Sequence, residues 1–244
     1  MKEWITSRNP IYEVLQARRR QPFRLRVAEG AEIKGRLAEI LKLCEARRLP
    51  VERVPRSQLD RLAESHQGVA LEVSAYPYAA LQDILSEASK RQEQLFVLAL
   101  DALQNPQNLG TLLRTAEAVG VHGVIIPLAH SAEITPAVVQ ASSGASEHLR
   151  IARANLAQSL ATLKETGAWI IGLEGSPEAV PVEQAHLGGP LVVVVGSEGE
   201  GLRALVRKSC DLLVRLPMRG RVESLNAAVA GSVILYLALR ARLS

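Results

Sequence analysis

Leu191-Val192-Val193-Val194-Val195-Gly196-Ser197-Glu198-Gly199-Glu200-Gly201 is the stretch on which the fold turns. Its first five residues are continuously apolar and mostly β-branched. That pattern marks a strand buried on both faces, as in a parallel sheet covered by helices, not one half-exposed to water. Glycines directly after such a strand let the backbone approach a ligand closely. A plain turn carrying two exposed glutamates is the other reading of the same residues. The glycines run GxxGxG, so the segment is neither a GxxxxGK[ST] phosphate loop nor a GxGxxG dinucleotide fingerprint.

Working outward, further short apolar runs read as strands: Leu95–Leu100, Gly123–Ile126, Leu149–Ala152, Trp169–Leu173 and Leu212–Leu216. Amphipathic helical stretches fall between them, and the last helix is expected from about Ser224 to Arg242. Strands alternating with helices predict an α/β domain with a parallel sheet, whose ligands bind beyond the carboxyl ends of the strands. A smaller α/β unit precedes it. There, Asn9-Pro10 reads as an N-cap and first helical position, Phe23–Ala28, Val51–Val54 and Val69–Val73 read as strands, and Ile33–Arg47 carries one apolar helical stripe. The expected division is residues 1–75 as a front domain, 76–92 as a linker and 93–244 as the main domain.

Two more polar clusters stand at strand ends of the main domain. One is Asp101-Ala-Leu-Gln-Asn105-Pro106-Gln-Asn108-Leu-Gly110-Thr-Leu-Leu-Arg114. Asn108 fits a helix N-cap and Asp101 a turn. Arg114, flanked by Leu112, Leu113 and Ala116, is expected to need a carboxylate, phosphate or substrate partner. The other is Leu216-Pro-Met218-Arg-Gly220-Arg-Val-Glu-Ser224-Leu225-Asn226. Ser224 suits a cap, whereas Asn226 in a helix's first turn is a poor helix former.

Bulk composition narrows the classes. Hydrophobic residues make up 48% and aromatics 3%, so the core is aliphatic. No apolar run reaches membrane-span length, and the first residues carry no apolar signal core, so a soluble, cytoplasmic protein is expected. The two cysteines, Cys44 and Cys210, have no CxxC partner and read as reduced, buried thiols. Five scattered histidines show no ligand spacing, so no metal is expected. Residues 1–78 hold 15 Lys/Arg against 10 Asp/Glu, while the rest of the chain is near neutral. The excess is mostly arginine, which suits phosphate and bases.

In order along the chain, Asn108-x-Gly110 with Arg114-Thr-Ala, Gly196-Ser-Glu198-Gly-x-Gly201, and Pro217-Met-x-Gly220-x-x-x-Ser224-Leu-Asn226 resemble the three motifs of the SpoU RNA 2′-O-methyltransferases. The front region, including His66-Gln67-Gly68-Val69-Ala70, resembles the L30e-like domain that precedes many of them. Chain length and Ser143-Gly-Ala-Ser-Glu147 place the likeness nearest the 23S rRNA guanosine-2′-O-methyltransferase group. The resemblance implies a C-terminal trefoil knot, a homodimer with active sites at the subunit interface, and S-adenosylmethionine as methyl donor with S-adenosylhomocysteine as product. It implies Gly196, Leu216, Met218 and Leu225 as the cofactor cradle, and Arg114 on the ribose 2′-hydroxyl. Asn108 and Glu198 are implied as its positioning partners, and Ser224 and Asn226 as polar contacts closing the site. A guanidinium keeps its proton at physiological pH, which favours electrostatic stabilisation of the developing alkoxide over general-base catalysis by Arg114. Two residues depart from the family pattern: Asn105, where Asp is common, and Ala228, where Ser is frequent. The alternatives are a tRNA or other rRNA 2′-O-methyltransferase, and a non-catalytic RNA-binding protein of the same fold.

Overall fold

The computed structural model describes residues 2–129, 131–197, 199–222 and 224–243. The chain runs β1 (Lys2–Thr6), α1 (Arg8–Ala17), β2 (Pro22–Ala28), α2 (Arg36–Ala46), β3 (Val51–Val54), α3 (Arg56–Asp60) and β4 (Val69–Ser74). It continues as α4 (Leu81–Arg91), β5 (Phe96–Leu100), α5 (Pro106–Ala118), β6 (Gly123–Pro127), α6 (Pro136–Ala141), β7 (Ile151–Ala154), α7 (Leu156–Glu165) and β8 (Trp169–Leu173). The last elements are β9 (Val180–Pro181), β10 (Leu191–Val195), α8 (Ala204–Ser209), β11 (Leu212–Arg215) and α9 (Ala227–Leu243). These form two compact units: Met1–Pro77 with Glu133–His148, and Tyr78–Ala132 with Leu149–Ser244.

The first unit is a four-stranded sheet in the order β1-β4-β2-β3, with only β2 and β3 parallel. One face buries Ile5, Leu25, Val27, Leu71 and Val73, and Ile11, Leu15, Leu37 and Ile40 of α1 and α2 are equally buried. On the other, Arg24 reaches Glu72 at 3.1 Å and Arg26 reaches Glu52 at 3.1 Å, with both guanidinium groups over Trp4. β1, an edge strand, has no counterpart in the sequence reading. The first helix starts at Arg8, not Pro10. Proline sits there without loss, because the first-turn amides have no intrahelical acceptor in any case.

The excursion 133–148 belongs to this unit, although the sequence reading ran it into the main domain. Its grip explains the difference. Glu147 is fully buried and pairs with Arg20 at 3.0 Å, and Tyr76 Oη donates to the Ser146 carbonyl at 2.8 Å. Burial holds the Glu147 carboxyl above its ordinary value, against the pull of Arg20. Burial likewise pushes the Tyr76 phenol up to about 12.

The second unit is built on a parallel sheet in the order β7-β6-β5-β10-β8-β11-β9. The run quoted first is its β10, hydrogen-bonded to β5 on one side and β8 on the other. Val192 and Val194 enter one core with residues of α4, α7 and α8. Alternation sends Val193 and Val195 to the opposite face. There Val195 lies beside Gly231 of α9, where an added Cβ would fall 3.2 Å from a Val195 methyl and 2.6 Å from Leu112 of α5.

Residues 81–91, a helix-like stretch inside the expected linker, form α4. Ile84 and Ala88, one helical turn apart, are buried in the second unit's core, and a Cβ on Gly123 would strike Ile84 at 2.5 Å. Leu81 and Leu85 pack against the same core, so the helix carries one apolar stripe of four residues. The thiols of Cys44 and Cys210 are free, and burial pushes them up to about 11 and about 12. Among the described residues no cluster of His, Cys, Asp or Glu could hold a metal, and no helix is long and apolar enough to cross a membrane.

Candidate active site

The residues after β10 fold back on themselves. Ser197 and Gly201 exchange backbone hydrogen bonds of 3.1 and 3.2 Å, and Gly199 and Gly201 take left-handed φ of 85° and 67°. Gly196 makes that closure possible. A Cβ there would lie closer than 3.0 Å to the carbonyl of Gly201, a backbone group that cannot swing away. Glu198 lies outside the described residues.

The far end of the turn is tied to β5. Asp101 is fully buried at the strand's carboxyl end and its carboxylate accepts from the Arg203 backbone at 2.8 Å and from Arg203 Nε at 2.6 Å. Sequence reasoning treated Asp101 as a turn residue. The available signal was an acidic side chain following five apolar residues of a buried strand, a place that demands a partner.

A cleft of about 630 Å³ opens over this turn and the segment from Leu216 to Ala227. Six of the expected site residues line it: Gly196, Leu216, Met218, Ser224, Leu225 and Asn226. Met218 and Leu225 are 38% and 41% exposed, an apolar wall left open by the described residues. Three charged residues that sequence reasoning missed also line it. Glu174 holds Arg207 through Nε contacts of 3.1 and 3.2 Å, and Arg215 stands nearby on the lining. Carboxylate hydrogen bonds from Glu178 and Glu174 raise Arg207 above its ordinary value.

Asn226 joins two of the clusters. Its Oδ1 accepts from the backbone of Ala228 and Val229 at 2.9 and 3.2 Å, capping α9, while its Nδ2 donates to Asn108 Oδ1 at 3.1 Å. It therefore precedes the last helix as its cap instead of lying within the first turn, and Ser224 is not the cap. A shift of the same kind occurs at α5. Asn105 is the N-cap, accepting from Gln107 N at 2.8 Å with Pro106 next, so Asn108 lies inside the helix and faces α9. Asn105 thus has a structural use that needs no carboxylate. Ala228 is buried within α9's inner face. Thr115 and Ser232, bonded at 2.8 Å, repeat the α5–α9 link two turns on.

Arg114 is not among the residues lining the cleft. It is exposed on α5, and its apolar sequence neighbours Leu112, Leu113 and Ala116 are the ones that point inward. Six residues beyond Asn108, it lies about 9 Å further along the helix and roughly 240° around it.

A parallel sheet with a glycine turn and an asparagine-capped helix gathered at one cleft defines a ligand-binding α/β enzyme domain. The model of the SpoU rRNA methylase family matches residues 95–236, and that for RNA 2′-O ribose methyltransferase substrate binding matches residues 5–79. The Bacillus subtilis protein named as putative TrmH family tRNA/rRNA methyltransferase YacO is 39% identical over 98% of this chain and 96% of its own length. A solved RNA 2′-O ribose methyltransferase superposes with a TM-score of 0.79 at 26% identity, over 100% of this chain and 90% of that one. The SpoU methyltransferase AviRb of Streptomyces viridochromogenes, solved with its cofactor AdoMet, shares the fold at a TM-score of 0.81 and 24% identity, over 99% and 91%. The chain belongs to the SpoU rRNA methylase family, as an RNA 2′-O-methyltransferase.

Proposed function

We propose that the cleft over Gly196–Leu202 binds S-adenosylmethionine and that the chain methylates a guanosine ribose in the peptidyl-transferase loop of 23S rRNA. The observation that carries the donor assignment is the turn itself: its backbone closes so tightly at Gly196 that no side chain fits there, and Gly196, Gly199 and Gly201 all line the cleft. Met218 and Leu225 add an apolar wall suited to an adenine and to the carbon chain beside the donor's sulfonium. The bound donor supplies a methyl group on a good leaving group. Leu216, Met218 and Leu225 hold it and exclude water. Asn226 fixes Asn108, Ser224 adds a hydroxyl at the rim, and Glu198 is assigned a positioning part by motif alone. An RNA target is supported by the substrate-binding match at residues 5–79, which we read as the RNA-binding part of the chain, together with the arginine excess there, and the 23S choice rests on the resemblance to that group. In this reading the last third of the chain is threaded as a trefoil knot, which brings the two final clusters to one cleft.

Arg114 engages the ribose 2′-oxygen in this proposal and stabilises its developing charge, while the alignment of oxygen and methyl group contributes roughly 7–11 kcal/mol. Since the cleft of one chain does not include Arg114, the working site is a homodimer's. An apolar stripe supports this. α9 buries Gly231, Ile234, Leu235 and Ala238 inward, yet also presents Val229, Val233 and Tyr236 at 48%, 41% and 54% exposure. A helix apolar on both sides is covered on both sides, and a second copy is the cover assigned here.

The direct experiment incubates the protein with methyl-labelled S-adenosylmethionine and either 23S rRNA or tRNA, then maps the label. Label at a 23S guanosine 2′-oxygen is expected; label on tRNA alone moves the target to the alternative. Arg114→Lys is expected to reduce kcat sharply, and near-normal transfer would remove the role of guanidinium geometry. Val233→Asp is expected to yield inactive monomers by light scattering.

A further inference from the structure

A second cleft of about 630 Å³ lies within the first unit, and its lining contains no carboxylate. Arg18, Arg47 and Arg48 stand over an apolar floor of Phe23, Leu43 and Leu49. Arg20 also reaches the lining but is committed to Glu3 at 2.7 Å and to Glu147.

The backbone under two of these arginines is unusual. α2 ends in a Schellman motif: Leu49 N donates to Cys44 O at 2.9 Å, and Arg48 N donates to Glu45 O at 3.0 Å. That motif places Arg48 at the left-handed position, φ 53°, where glycine is usual. Arg18, directly after α1, takes φ 55°. A side chain at either position carries a steric cost that glycine does not. Both helices therefore end at this cleft with an arginine where glycine fits best.

Capping explains only one of the three. Arg47 donates from Nη2 to the Leu15 carbonyl, in the last turn of α1. Burial, then the neighbouring Arg18 charge, holds Arg47 below its ordinary value, so like charges are gathered here. Arg18 and Arg48 are exposed, and neither has an ion pair among the described residues. Several other arginines of the unit are paired: Arg24 and Arg26 with Glu52, Arg36 with Glu39, and Arg56 with Asp60.

We propose that Arg18, Arg47 and Arg48 form a phosphate-binding cleft that grips the RNA backbone, separate from the methyl-transfer cleft. It rests on the RNA-methyltransferase reading and assigns the contact to particular residues. Arginine forks suit phosphate oxygens bidentately, and the apolar floor suits a nucleobase or ribose face. The site holds RNA without chemistry.

The left-handed backbone makes a clean test available. The double variant R18G/R48G removes two charges at positions where glycine relieves strain, so thermal stability should hold or rise. With the full chain and a transcript of the 23S peptidyl-transferase domain, its affinity is expected to fall about tenfold or more near 0.15 M salt. The slope of log affinity against log salt should become shallower by about 1.5, from roughly 0.7–0.9 per phosphate contact. R18K/R48K should recover most of the affinity. KM for RNA should rise in the glycine pair with kcat at saturation retained, and S-adenosylmethionine binding by calorimetry should not change. Should the glycine pair melt early, R18N/R48N carries the same test, since asparagine also tolerates this backbone. Unchanged affinity and salt slope in a folded pair overturns the cleft and leaves the methyltransferase reading standing. Wild-type protein that neither binds nor methylates the transcript overturns the rRNA reading instead.

Discussion

The two clefts enclose the same volume, about 630 Å³, and are built in opposite ways. The one over Gly196–Leu202 is lined mostly by glycines and apolar residues, and of its cations Arg207 and Arg215 the first is paired with Glu174. The one between the ends of α1 and α2 carries Arg18, Arg47 and Arg48, with no carboxylate among its described lining residues. The first suits a small ligand of little net charge, recognised by main-chain groups at close range. The second suits a polyanion, recognised by long side chains at its surface. The proposed division of donor chemistry from RNA grip follows from that contrast, and it can be attacked from either side.

The largest expected effect distinguishes structural from binding arginines. Arg20→Met leaves Glu147 fully buried without its partner and should destabilise the first unit by about 3–5 kcal/mol in urea melts. The exposed Arg18 and Arg48 should show no such loss. If Arg20→Met folds as well as wild type, the pair is not what binds residues 133–148 to that unit.

Next comes the glycine turn. Gly196→Ala forces the turn to shift by placing a methyl group against Gly201. We expect about 1–3 kcal/mol lost, up to roughly 100-fold in S-adenosylmethionine affinity. RNA affinity should be retained, because the other cleft is untouched. Equal losses of both ligands would break the separation.

Asn226 offers a smaller and finer test. Asn226→Ala removes a helix cap, worth about 1 kcal/mol. Asn226→Asp keeps the cap through its oxygen but replaces the donor facing Asn108 Oδ1 with an acceptor. Stability should survive in the aspartate variant while methyl transfer drops. Equal activity of the aspartate variant and wild type would make Asn226 a cap alone.

The smallest effect is one of pH. His122 Nδ1 accepts from Phe96 N at 2.9 Å, and burial holds the imidazole below its ordinary value against the pull of Glu93. A depressed folded value means the His122 contribution is complete above about pH 6.5 and is lost as pH falls through that lower value. His122→Gln should flatten the acid limb of stability between pH 7 and 5 by less than about 1 kcal/mol. An unchanged limb would assign it to other groups.

Legibility in the sequence followed the strength of the local signal. The five-residue run ending at Val195 was unambiguous, because a strand buried on both faces leaves no room for polar residues. Gly196, Leu216, Met218, Ser224, Leu225 and Asn226, implied by the resemblance to the SpoU motifs, meet at one cleft. What escaped depends on tertiary pairing. Asp101 finds Arg203 across the sheet end, and Glu174 finds Arg207 on α8. Residues 133–148 are held by Arg20 and Tyr76, more than 50 positions away in sequence. Arg114 misled for a related reason: apolar sequence neighbours imply burial only when they share its helix face. The left-handed φ of Arg18 and Arg48 leaves no trace in composition at all.

The most direct measurement is methyl transfer itself. Purified protein, labelled S-adenosylmethionine and 23S rRNA should yield 2′-O-methylguanosine on nuclease digestion and mass spectrometry. The yield should collapse for Gly196→Ala at any RNA concentration, and be restored by excess RNA for R18G/R48G. Label on a nucleobase, or full activity in Gly196→Ala, would contradict a ribose methyltransferase working from this cleft.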